Sequence, residues 1–227
     1  VPQYRDFDGA GGKEMAIEEK IVVRITPTTN GPYKVEFLDN LSNQHGSLEV
    51  KETMYLCRCG GSGNKPFCDR THLKNGFNSS RLDGRVEDRR DNYEGKEVTI
   101  HDNRGICAHI GFCTDELPAV FRLGLEPWVD PNGASGGRII TQVRRCPSGA
   151  LSYSLDKIEH RDQERKPRIF VSHNGPYFVT GGPELVDTER GEGASTEHYA
   201  LCRCGGSKNK PFCDGTHWYI NFSDDKN

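Results

Sequence analysis

Apolar positions in this chain come in short bursts separated by glycine, proline and charge. Residues 21–26 read Ile-Val-Val-Arg-Ile-Thr, a β-branched run that suits a strand. After a turn from Pro27 to Gly31, Tyr33-Lys34-Val35-Glu36-Phe37-Leu38 alternates apolar and polar positions as a second strand. Asn43 to Gly46 reads as a loop, and Leu48 to Leu56 as a third extended segment. The same succession returns near the C-terminus. A strand at Arg168 to Val171 leads into Asn174-Gly175-Pro176-Tyr177, which matches Asn30-Gly31-Pro32-Tyr33. A strand through Thr180, a Gly- and acid-rich loop over 181–195 and an extended His198 to Leu201 complete the copy.

The middle of the chain follows another pattern. Arg81 to Lys96 is charged and reads as a linker. Val98 to His101 predicts a strand, and Thr114 can cap a short helix running from Asp115 to Phe121. Leu123 to Gly137 is broken by Gly and Pro. Arg138 to Arg145 predicts a helix with Ile139, Ile140 and Val143 on one side, Leu151 to Ser154 a closing strand, and Asp156 to Lys166 a second charged linker. Residues 1–15 are polar and glycine-bearing and read as a flexible arm. The expected fold class is therefore α+β and β-rich.

Composition narrows this further. Only 33% of the 227 residues are hydrophobic, 28% are charged, and Gly (26) and Pro (12) are frequent. One large apolar core is a poor fit to that balance. Small loop-rich units stapled by metal fit better, because metal binding contributes folding free energy directly. A net charge of -3 gives no reason to expect nucleic acid as a partner. No apolar run reaches the roughly 18 residues of a membrane helix, and Val1 to Asp6 lack the basic start and apolar core of a secretory leader. A soluble protein of a reducing compartment, the cytoplasm, is expected.

The cysteines change the picture most. There are nine, an odd number that argues against a closed disulfide framework. They fall into three groups of three. The first is Cys57, Cys59 and Cys68 with His72; the last is Cys202, Cys204 and Cys213 with His217. Both follow C-x-C-x8-C-x3-H. The turn at 30–33 and the cysteine run at 57–72 recur at 174–177 and 202–217 with one residue of difference in spacing, which marks an internal duplication. Residues i and i+2 of an extended segment face one way, so Cys57 and Cys59 can share a metal centre. Cys68 and His72 are four apart and share one face of a helical turn. Asp69 stands where that turn begins. Gly60 and Gly61 let the backbone wrap an inorganic core, and Ser62 offers it a hydroxyl. Three cysteines and one histidine also suit tetrahedral zinc, but C-x-C suits a binuclear iron centre better, with mixed ligation as in Rieske clusters.

Both runs resemble the CDGSH, or NEET, iron–sulfur family. Its pattern C-x-C-x2-S/T-x3-P-x-C-D-G-S/A/T-H is met by Ser62, Pro66 and Thr71 in the first run and by Ser207, Pro211 and Thr216 in the second. The second matches through Cys213-Asp214-Gly215-Thr216-His217; the first departs at Arg70, where the family has Gly. The resemblance implies one 2Fe-2S cluster per motif. Cys57 and Cys59 would hold one iron and Cys68 and His72 the other, with Cys202, Cys204, Cys213 and His217 repeating the arrangement. It also implies two β-cap/cluster units forming an intramolecular pseudo-twofold pair, so that one chain is an internal dimer. The single imidazole ligand lightens the site's negative charge, raises its potential and makes it sensitive to protons, since free histidine titrates at about 6.5.

The middle group is Cys107 and Cys113, spaced C-x5-C, with Cys146-Pro147 far downstream. It resembles bacterial ferredoxins that have lost one thiolate, and divergent single-cluster 4Fe-4S domains. Ile110 stands at the missing ligand position. Three thiolates fit 3Fe-4S, the favoured reading, with 4Fe-4S as the alternative and His109 a possible fourth ligand. The bland reading of these three is buried free thiols. Arg58, Lys65, Arg203 and Lys210 beside the outer motifs read as solubility charges that could also guide a partner. His45, His101, His160, His173 and His198 read as solvent-exposed.

The organisation expected is a CDGSH domain over 16–80, an inserted α+β ferredoxin-like domain over 93–156 and a second CDGSH domain over 165–227. Electron transfer with a reductase or oxidoreductase partner is the leading function. Cluster storage, transfer to an apo acceptor protein, or redox and iron sensing is the alternative. No nucleophile–base pair or phosphate loop points to catalysis. The differences Arg70/Gly215, Leu73/Trp218 and Gly63/Lys208 predict that the two outer sites are not equivalent.

Overall fold

The computed structural model describes residues 21–227; the expected arm over 1–15 lies outside them. The first repeat supplies β1 (Arg24–Pro27), β2 (Tyr33–Glu36), β3 (Leu41–Asn43), β4 (Gly46–Ser47) and β5 (Thr53–Leu56). The middle segment supplies β6 (Arg90–Glu94), β7 (Thr99–Asn103), α1 (Phe112–Glu116), α2 (Gly136–Val143), β8 (Leu151–Leu155) and β9 (Ile158–His160). The last supplies β10 (Arg168–Val171), β11 (Tyr177–Thr180), β12 (Glu184–Leu185), β13 (Tyr199–Leu201) and α3 (Thr216–Tyr219). Strand dominates helix, as the chain's bursts of β-branched and aromatic residues require, and the fold is a β-rich α+β one.

The β1–β2 and β10–β11 hairpins are built alike. Asn30 and Asn174 take φ of 48° and 49°, a conformation asparagine tolerates. Thr28 Oγ1 donates to Pro32 O and Ser172 Oγ to Pro176 O, both at 2.7 Å, closing each turn.

The sheets do not respect the repeat boundaries. One sheet runs β12-β1-β2-β5 and the other β13-β11-β10-β3-β4. Strand β12 of the last repeat lies parallel to β1, pairing Ile25 with Leu185. Strand β3 of the first lies parallel to β10, pairing Leu41 with Ile169. Each repeat thus extends the other's sheet, the last with β12 and the first with β3 and, beyond it, β4. The alternating faces of both sheets close on a single core, in which Ile25, Val35 and Leu56 pack with Ile169, Val179 and Leu201.

The middle segment forms its own antiparallel sheet, β6-β7-β8-β9. Its apolar core gathers Ile100, Phe121, Ile139, Val143 and Tyr153.

Several expectations need correction. The loop expected at 43–46 is the tight turn between β3 and β4, its end residues Asn43 and Gly46 paired in the strands; the loop expected at 181–195 contains β12, and the two charged linkers contain β6 and β9. The helix expected from Asp115 to Phe121 begins at Phe112 with Gly111 (φ 90°) as its N-cap. Thr114 lies inside that helix, where its hydroxyl donates to Gly111 O at 3.0 Å.

Candidate metal centres

Strand β5 delivers Cys57 and Cys59, and the turn after Pro66 returns Cys68 and His72. The Sγ atoms of Cys57 and Cys59 lie 3.7 Å apart, and Cys68 Sγ lies 3.5 Å from His72 Nδ1. The second motif repeats these separations: 3.8 Å for Cys202–Cys204 and 3.4 Å for Cys213–His217 Nδ1. Two sulfurs on one tetrahedral ion, with metal–sulfur bonds of about 2.3 Å, stand about 3.7 Å apart; a sulfur and an imidazole nitrogen stand about 3.5 Å apart. Each pair therefore has the spacing of one edge of a tetrahedral metal ion, and each motif offers two such edges. Among the described residues no three of His, Cys, Asp and Glu converge on a single ion. The arrangement fits a binuclear group.

Electrostatics agree. Within each Cys-x-Cys pair the side-chain hydrogen bond holds one thiol's pKa down while the donating thiol is raised. The pair shares a proton that a metal ion displaces. Burial pushes His217 down to about 4, so its imidazole is neutral and has a lone pair to give.

The loop between the second and third cysteines is closed by the serine. Ser62 Oγ donates to Phe67 O at 2.7 Å and accepts from Asn64 N, and Ser207 Oγ does the same with Phe212 O and Asn209 N. The expected role of Ser62 toward an inorganic core is thus corrected to a loop tie. Asp69 accepts from Gly63 N at 2.8 Å and Thr71 N at 3.0 Å, fixing the turn that carries His72. Gly60 (φ 75°) packs its Cα on the Cys204 carbonyl, and at Gly205 (φ 79°) a Cβ would meet Cys59 O at 2.8 Å. The two glycines let the two cysteine runs touch.

Neighbouring cations are not the solubility charges expected. Arg203 is 1% exposed and bonds Gly175 O, Ser172 O and Asp224. Arg58 and Lys210 are also buried, and Lys210 Nζ donates to Ser207 O at 2.6 Å. Half-buried Lys65 makes the matching bond to Ser62 O at 2.9 Å. His198, expected in solvent, is buried, with Nδ1 2.9 Å from both Glu197 Oε2 and Ser195 Oγ.

The two outer sites differ in cover. Cys202, Cys204, Cys213 and His217 are all buried, His217 with 3% exposure. Cys59, Cys68 and His72 are only half-buried. The chain leaving the first repeat lies over the second motif: Leu82 N donates to Lys208 O and Arg81 Nε to Lys210 O. Nothing in the motifs themselves signals this.

Cys107, Cys113 and Cys146 line one cavity of about 610 Å³, together with His109, Trp128 and Leu151. Burial pushes Cys107 up to about 12 and Cys113 up to about 11, and Cys146 adds to both rises. All three thiols are half-buried, and thiolates at Cys107 and Cys113 in this setting call for a compensating cation, so the cavity suits a metal cluster. His109 (φ 51°) gives its backbone N–H to Cys107 Sγ at 3.3 Å. Its ring carbons lie against Gly215 of the second motif. Among the described residues neither ring nitrogen contacts a thiol.

Residues 30–73 and 174–218 match the family described as iron-binding zinc finger CDGSH type, and residues 93–156 match the divergent 4Fe-4S mono-cluster family. The uncharacterized protein YjdI of Escherichia coli K12 is 33% identical over 61 residues, covering 27% of this chain and 80% of that protein. The YjdI protein of E. coli O157:H7 matches to the same extent. No solved structure matches the chain.

Proposed function

Because this chain belongs to the CDGSH iron–sulfur proteins, with two CDGSH regions around a divergent 4Fe-4S mono-cluster region, we propose that it is a three-cluster electron carrier. Two 2Fe-2S groups belong at Cys57, Cys59, Cys68 and His72, and at Cys202, Cys204, Cys213 and His217. One larger cluster belongs at Cys107, Cys113 and Cys146. The carrying observation is the repeated pair of ligand edges, 3.7 and 3.5 Å in one motif and 3.8 and 3.4 Å in the other. When bound, such groups supply one-electron redox chemistry.

The chain supplies the rest. Its serine ties and buried arginines hold the ligand loops in place, and burial keeps water from the second site. The exchange of β3 and β12 and the mutual glycine contacts support a pseudo-twofold pair made within one chain. We divide the chain into 16–80, 93–156 and 165–227 accordingly. The middle site has three thiolates, and its family description favours 4Fe-4S over the 3Fe-4S expected from ligand count. The partner is a redox protein, a reductase or oxidoreductase. No described helix is long and apolar enough to cross a membrane.

Iron and sulfide analysis with EPR on anaerobically isolated protein tests this. About eight irons per chain are expected with 4Fe-4S in the middle, or about seven with 3Fe-4S. An EPR signal from oxidised protein marks 3Fe-4S, since oxidised 2Fe-2S and 4Fe-4S are silent. Zinc without sulfide would overturn the reading. The half-exposed first site also suits cluster transfer, and appearance of its 2Fe-2S group on an apo-ferredoxin would favour that alternative.

A further inference from the structure

The loop that carries Cys107 and Cys113 lies directly on the turn that carries Cys213 and His217. Ala108 packs with Cys213 and Ala200 in one buried cluster, and Ile110 leans on it. Trp218 Nε1 donates to His109 O at 3.2 Å, and the Trp218 ring lies 4.9 Å from the His217 ring. A Cβ at Gly215 would stand 2.9 Å from His109 Cβ. Asn209 Nδ2 adds a bond to Gly105 O at 3.0 Å, just ahead of Cys107.

None of this is available to the first motif. Arg70 replaces Gly215 and takes the same left-handed turn, with φ 70° against 81°, but with a side chain where His109 would sit. Leu73 replaces Trp218, has no ring N–H to donate and is 73% exposed.

We propose that His109 and Trp218 form a junction coupling the middle site to the second CDGSH site, so that the middle site communicates with that one and not with the first. The proposal rests on the three-cluster reading above. His109 is then a positioning residue of the second motif's turn rather than a fourth ligand of the middle site. An electron crossing the junction oxidises one cluster by one and reduces the other by one; no protein bond forms or breaks.

The test uses the full chain, isolated anaerobically, reduced stepwise with dithionite and followed by EPR. One of the two reduced 2Fe-2S signals should broaden and relax faster when the middle cluster is paramagnetic. His217→Cys should shift that signal, and His72→Cys should shift the other. Trp218→Leu and Gly215→Arg, each installing the first motif's residue, should abolish the broadening. The His→Cys assignment needs neither junction variant to fold. Broadening of the signal that His72→Cys shifts, or no broadening with both cluster types present, overturns the junction while leaving the three-cluster reading intact. A preparation with no middle cluster overturns both.

Discussion

Tyr33 and Tyr177 meet edge to face at the centre of the core, ring centroids 6.0 Å apart at 85°, and each serves the other's cysteine run. Tyr33 Oη donates to Cys202 O and Pro211 O, both at 2.9 Å; Tyr177 Oη donates to Cys57 O at 2.8 Å and Pro66 O at 3.0 Å. Each motif is braced from the opposite repeat, so damage should cross over. Tyr33→Phe strands a buried carbonyl beside Cys202 and should cost about 1–3 kcal/mol. It should loosen the second site, while Tyr177→Phe loosens the first. Chelator-driven iron loss from each variant, with signals assigned by EPR, checks the crossing; loosening of the same repeat's own site would refute it.

Cover sets lability. His72 and Cys68 are half-buried, while all four candidate ligands of the second motif are buried. Iron loss to a chelator at neutral pH should therefore show a fast and a slow phase. His72→Cys should slow the fast phase alone, and His217→Cys should leave it unchanged. A single phase in wild type would count against the asymmetry.

The candidate ligands were legible in the sequence because the proposed chemistry demands Cys and His at fixed spacing, and duplication printed them twice. The strand exchange was not. Strands β3 and β12 are three and two residues long and are held by backbone pairing, which leaves no alternation to read. Strands β6 and β9 lie at sheet edges. Their sequences, Arg90-Asp91-Asn92-Tyr93-Glu94 and Ile158-Glu159-His160, are charged as edges usually are and so imitate linkers. Burial of Arg203 depends on partners well separated along the chain, Ser172 and Asp224, and His198 is buried against Ser195, whose hydroxyl donates to distant Asp162; composition cannot reveal either.

The arginines after the first cysteine of each run should behave differently. Arg203 is wholly enclosed with Asp224. Among the described residues Arg58 has no carboxylate partner and no hydrogen bond at Nη1, and it lies over Tyr33 and Phe77. Removing one member of a buried ion pair leaves the other uncompensated, at about 3–5 kcal/mol. Asp224→Asn should thus destabilise the chain by that order in denaturant unfolding, and Arg58→Met by much less. Equal losses would show that Asp224 is not the determinant.

Asp102 links stability to pH. It is buried on β7, where burial pushes its pKa up to about 7 against the opposing pulls of Arg104 and the Trp128 Nε1 hydrogen bond at 3.1 Å. The folded pKa lies above the unfolded value of 3.8, so the folded state favours the protonated acid. Its contribution is fully present below about pH 4 and is lost as pH rises through about 7, a change on the order of 4 kcal/mol. Glu159 acts in the opposite sense: burial raises it, but bonds from Arg90, Ser152 and Arg161 prevail and hold it at about 2. Its contribution is lost only as pH falls below about 4.5, outside a scan from pH 5 to 8. Asp102→Asn keeps an acceptor for Trp128 and cannot ionise. The variant's advantage over wild type should widen by about 2–3 kcal/mol between pH 5 and pH 8 in thermal unfolding of the loaded chain. Parallel curves for the two proteins across that range would show that Asp102 does not titrate there.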